Sequence, residues 1–174
     1  LKFDPGACGV GLFISDENTH LRTNINTTGW RTCRTLNSGW TEGIHYWSMR
    51  IVDRGPNGHI MTGVVNDQFD MGQATYPGEN TNGYGLYLHN MNKYNGGGAA
   101  FSSDSASNGD VIGTLLDLEA RTVTYFKNGR ILGTAFGMIP QGKQKYYPAV
   151  GMYELGNWVS VIRTINGKDS NNVQ

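Results

Sequence analysis

Asp117 and Glu119 close the apolar run "VIGTLLDLE" with one residue between them. Residues two apart on a strand share a face, and β-sandwich glycanases use such a pair of carboxylates to flank a glycosidic bond. Here the pair ends its strand immediately before the turn "EARTV", which favours a structural role for both. A calcium loop counted from Asp104 places Asn108 and Gly109 suitably, but Leu115 falls where a bidentate Glu is required. Asp104 and Asp110 are therefore read as solvated turn formers. His20, His45, His59 and His89 are scattered without metal spacing, and His45 is expected to pack beside Trp47. No Ser or Cys sits in a nucleophile elbow. "GYGLYL" lacks the third glycine of a dinucleotide fingerprint, and Gly96 to Gly98 precede no helix, so these glycines mark tight bends rather than a phosphate cradle. Neither catalysis nor a cofactor or metal is expected.

Charge narrows the partners further. Lys plus Arg and Asp plus Glu balance at 14 each, without the basic excess that nucleic-acid binding requires. No apolar run approaches the roughly 18 residues of a membrane span. Cys8 and Cys33 have no metal-like spacing and read as reduced thiols. Together with an opening "LKFDPGACGVGLF" that lacks signal character, they suggest a cytoplasmic setting, and the isolated domain is expected to be monomeric. Asn26-Thr27-Thr28 is formally a glycosylation triplet.

The elements that would position any site are short strands. The chain of 174 residues carries 25 glycines, with turn residues recurring about every ten positions, which suits an all-β domain of ten to thirteen strands with one core. Val10 to Ser15 reads as a first strand and Thr32 to Leu36 as an edge strand. In "GIHYWSMRIVDRG", His45, Trp47, Met49 and Ile51 alternate with Tyr46, Ser48 and Arg50, the period of a half-buried strand. Trp47 and Trp158 are assigned to the core. Ile60 to Val65 returns antiparallel after "RGPNG".

In "TVTYFKNGRILGTAF", Asn128-Gly129 suits a type I′ turn. That turn places Phe126 opposite Ile131, Tyr125 opposite Leu132 and Val123 opposite Thr134. Both faces then carry bulk, as inside a sandwich, and Lys127 and Arg130 make the tip a solvated end. Tyr84, Leu86 and Leu88 share a face in "GYGLYLHN". The segment from Asn66 to Asn82 is the longest irregular stretch, with exposed-looking aromatics at Phe69 and Tyr76, and long loops of this kind are often functional. Residues 1–165 form the expected domain, and 166–174 a polar, frayed tail.

"FDP" at Phe3, "LFISDEN" at Leu12, "GIHYW" at Gly43, "TGVV" at Thr62, "NGYGLYL" at Asn82, the run from Gly109 to Phe136 and "YYPAVGM" at Tyr146 come in the order of the SPRY domain family, which the chain resembles from about Phe3 to Ile165. The resemblance implies a bent sandwich of two antiparallel sheets that binds a peptide or protein partner through loops at one end. The Asn-Gly hairpin would then be framework. The relatives that carry a SOCS box hold peptide through a Tyr after the "GV" strand, an early loop, and a Val-Trp-Gly run after "YPAV". Tyr76 takes the Tyr position, and Thr23, Ile25 and Thr27 fall in the early loop. After "YPAV" stand Tyr153, Glu154 and Leu155 without the Trp, so the Asp-Ile-Asn-Asn-Asn type of ligand does not carry over. Tyr76 and Tyr153 are the expected anchors, since Tyr offers a large rigid face at low entropic cost. Trp30 would join them, and Glu154 would favour a basic or amide-donating group. A carbohydrate-binding jelly roll is the alternative, because it shares this composition.

Overall fold

A computed structural model describes residues 1–24 and 29–166. Among these described residues, fourteen strands form two seven-stranded antiparallel sheets. The first sheet contains β1 (Phe3–Cys8), β4 (Arg31–Thr35), β6 (Ile60–Asn66), β7 (Gly83–Tyr87), β8 (Asn92–Tyr94), β9 (Gly98–Ala99) and β13 (Tyr146–Met152), in the order β1-β4-β13-β6-β7-β8-β9. The second contains β2 (Leu12–Ser15), β3 (His20–Thr23), β5 (Ile44–Arg54), β10 (Val111–Asp117), β11 (Thr122–Lys127), β12 (Arg130–Phe136) and β14 (Asn157–Asn166), in the order β12-β11-β10-β5-β14-β3-β2. Among the described residues there is no helix long and apolar enough to cross a membrane.

The core fills the space between the sheets, as the alternation on β5 requires. His45, Trp47, Met49 and Ile51 all point inward and are buried, while Arg50 faces water. His45 stacks on Trp40 at 4.1 Å, and Trp40 in turn lies 5.6 Å from Trp47. Tyr84, Leu86 and Val64 meet this layer from the opposite sheet. Trp158 is not core. Its register opposite Arg22 puts it on the outer face of the second sheet, half-buried beneath the Arg22 guanidinium and His20.

Other expectations need correction. The strand at 31–35 is not an edge, because β1 pairs on its far side and β13 on its near side. The first strand begins at Phe3, since "FDPGAC" has its own partner in β4. Asn166 closes β14 instead of opening a tail, and residues 167–174 lie outside the described residues, as does the triplet at 26–28.

The hairpin turn forms with positive φ at Asn128 and Gly129. Phe126 faces Ile131, but Tyr125 faces Gly133, Thr124 faces Thr134 and Val123 faces Phe136. Two register shifts, one beside Gly133 with φ of 142°, displace Leu132 from the pairing that simple counting gives. The tip is exposed, as expected, and is also tied to the neighbouring turn. Lys127 reaches Asp104 at 2.9 Å and Asp110 at 3.5 Å, and Arg130 also pairs with Asp104. Asp117 accepts the amides of Glu119 and Ala120, the geometry of a turn former. Cys8 and Cys33 are free thiols opposite each other in the β1–β4 ladder, and burial pushes the Cys33 thiol up.

Candidate functional site

The outer face of the first sheet is where the loop aromatics gather. On β7, Tyr84 and Leu86 point inward, so Gly85 and Tyr87 must point outward. On β6 the same alternation turns Met61 and Val65 outward, and on β13 Tyr147, Ala149 and Gly151. The loop 67–82 folds back over this face. Phe69, expected to be exposed, is only 6% exposed because it packs with Val65, Tyr147 and Ala149 in a small second core.

Farther along the same loop, Tyr76 and Pro77 sit on a floor of glycines. A Cβ at Gly85 would come 2.0 Å from the Pro77 carbonyl oxygen, and one at Gly151 would come 3.0 Å from the Pro77 ring. Glycine at these two places lets the loop lie flat on the sheet. Tyr76 is thereby fixed against the strands, though it comes from an irregular segment.

Trp30, just before β4, is the hub. Its ring lies 5.0 Å from Tyr76, 5.8 Å from Tyr87 and 5.6 Å from Tyr153. Tyr153, 38% exposed, follows β13 and also meets His59 edge-on at 5.5 Å. The His59 ring stacks on Tyr87 and shares a hydrogen bond with its hydroxyl. Tyr94 on β8 closes the group, at 6.0 Å from Tyr76 and 5.9 Å from Tyr87. A cavity of about 100 Å³ lies among Trp30, Tyr76, Tyr87 and Tyr94, with buried Met61 as its floor. Burial, with Tyr94 and Glu154 adding to it, raises the Tyr87 hydroxyl to about 12, and burial and Glu79 raise Tyr76 as well. Both phenols are neutral at physiological pH.

The structure thus brings Tyr76, Trp30 and Tyr153 together, and Leu155 stands 50% exposed on the Tyr153 loop. Thr23 and Glu154 take different places. Thr23 is 7% exposed and donates to the carbonyls of Glu154 and Asn157, so it props the loop from beneath. The Glu154 carboxylate is engaged by hydrogen bonds within the domain. It accepts the Asn57 amide and side chain at 2.9 Å each and the His59 amide at 3.3 Å. Burial alone would raise its pKa, but these hydrogen bonds outweigh it and hold the carboxyl below its usual range. A carboxyl depressed in the folded state stabilises fully above its unfolded pKa. This contribution fades as pH falls through the folded value. Ile25 and Thr27 lie outside the described residues.

Sequence reasoning overlooked Tyr87, Tyr94, His59 and Asn157. The outward phase of Tyr87 was implicit in the inward phase of Tyr84 and Leu86. Asn157 is fully buried, donating to the Arg54 carbonyl at 2.7 Å and accepting the amides of Tyr153 and Glu154. Asn157→Ala is expected to cost about 1–3 kcal/mol, because it leaves partly buried backbone groups unpaired. Urea unfolding checks the loss, and faster amide exchange at Tyr153 and Glu154 would place it in this loop.

Residues 44–168 match the SPRY domain family. The chain belongs to the SPRY domain family. Its relatives include the Ran-binding proteins 9/10 homolog of Drosophila melanogaster, 33% identical over 118 residues, or 67% of this chain and 12% of that protein. Ran-binding protein 9 of Homo sapiens is 31% identical over 119 residues, covering 67% of this chain and 16% of the relative. This SPRY domain therefore spans a small part of these relatives. The crystal structure of the SPRY domain of human HERC1 shares the fold, with a TM-score of 0.77 at 23% identity over 91% of this chain and 96% of that one. Trp30 precedes the family match, so the hub of the aromatic group comes from the part of the chain outside it.

Proposed function

We propose that this SPRY domain is a non-catalytic protein-interaction module that receives a short linear segment or loop of a partner on the aromatic face built around Trp30. One observation carries the proposal. Trp30, Tyr76 and Tyr153 come from three distant segments and converge into ring contact over a rigid sheet. Half-buried aromatics on a fixed floor suit recognition, because they present large area while little conformational freedom is lost on binding. The Ran-binding relatives support interaction as a class of activity, and the small share of them matched leaves the partner to experiment.

Tyr153 is the test residue, being the most exposed of the three rings at 38%. Tyr153→Ala is expected to weaken capture of the cognate partner about tenfold without unfolding the domain, the size of a moderate interface residue. Quantitative mass spectrometry of proteins retained by wild-type and variant domains supplies the comparison, followed by titration of the protein that is lost. Equal retention by a folded Tyr153→Ala domain would show that partners bind elsewhere.

A further inference from the structure

Four rings around the 100 Å³ cavity touch in a closed circuit: Trp30 to Tyr76 at 5.0 Å, Tyr76 to Tyr94 at 6.0 Å, Tyr94 to Tyr87 at 5.9 Å, and Tyr87 back to Trp30 at 5.8 Å. Successive planes are inclined at 55°, 90°, 84° and 68°, so the rings stand as walls. The middle of such a circuit lies within about 6 Å of every ring centroid, the reach of a cation–π contact. The cavity is well below the roughly 300 Å³ at which pockets for drug-sized ligands begin, and suits the head of one side chain.

Resting on the interaction surface just described, we propose that the cavity is an aromatic cage for a methylated lysine of the partner segment. Charge favours this occupant. The carboxylates of Glu79 and Glu154 bear electrostatically on Tyr76 and Tyr87, and both phenols are neutral. Arg31, the cation next to Trp30, is turned to the Trp30 carbonyl oxygen at 2.7 Å. The Tyr87 hydroxyl is engaged with His59, and the lining of Trp30, Met61, Tyr76, Tyr87 and Tyr94 includes no carboxylate to pair with an ammonium N–H, which favours a head whose N–H groups are replaced by methyls. A weakly hydrated cation held there would lie within reach of all four π systems.

The probe is a capped trimethyllysine, compared with its neutral carbon isostere and with unmodified lysine, titrated into the isotope-labelled domain while the amide signals of Tyr76 and Tyr87 are followed. The ammonium compound is expected to bind about tenfold more tightly than the isostere, and Trp30→Ala and Tyr94→Leu should erase the preference. Tyr94→Leu, on the short strand β8, serves if Trp30→Ala does not fold. Equal binding of the isostere would make the cage a plain apolar pocket and overturn the inference. Preference for unmodified lysine, no shift at millimolar probe, or binding to phosphatidylcholine vesicles in place of the probe would do the same. Tyr153 lies outside the cage walls. Capture lost in Tyr153→Ala without an ammonium preference therefore removes the cage alone, whereas capture retained there removes the interaction surface itself.

Discussion

Trp47→Ala is expected to lower the stability of the domain by about 3–5 kcal/mol, the range for emptying a buried aromatic site. Trp47 is fully buried at the middle of β5, with Thr114 opposite it on β10 and Thr164 on β14. Two flanking strands hold the backbone, so the site cannot close over the missing ring. Among the described residues its indole N–H has no hydrogen-bond partner, and the loss is therefore one of packing and burial rather than of a polar contact. Domains are typically stable by about 5–15 kcal/mol, so this one change removes much of the margin. Denaturant unfolding with an unchanged slope is the check. A loss below about 1 kcal/mol would place Trp47 outside the energetic core.

Trp30→Ala should act on binding instead. Trp30 meets Tyr76, Tyr87 and Tyr153, so its removal takes away one ring and the support of three others. Central aromatic anchors of this kind cost about 2 kcal/mol or more when truncated, or roughly thirtyfold in affinity. The side chain is half-buried on the sheet exterior, and the melting temperature should move much less than for Trp47→Ala. Titration of the captured partner, with thermal unfolding alongside, separates the two variants. Unchanged affinity in a folded Trp30→Ala protein would leave the aromatic group without a role in recognition.

Local pattern accounts for what was legible in the sequence. The inward face of β5 followed from strict alternation and the hairpin turn from Asn-Gly, since both depend on neighbours in sequence. The place of β4 between β1 and β13 was hidden because strand order is decided by residues more than a hundred positions away. Tyr76 and Tyr153 stood out as bulky aromatics in polar segments. Phe69 gave the same signal yet is buried, because Val65, Tyr147 and Ala149 supply an apolar seat that no local rule reveals. Glu154 and Thr23 were visible as polar loop residues. Their direction was not, since the Glu154 carboxylate is held by Asn57, 97 residues away, and the Thr23 hydroxyl bonds to Glu154, 131 residues away. Tyr94 escaped notice because it sits in a strand of three residues, too short to show a period.

The most direct test of the interaction face is nuclear magnetic resonance mapping of the labelled domain with its captured partner segment. Perturbations are expected at the Trp30 indole and at the amides of Tyr76, Tyr87 and Tyr153. Shifts confined to the cleft lined by Asn66, Asn82, Phe136 and Gln144, or to the outer face around Phe13 and Trp158, with the Trp30 group silent, would contradict it.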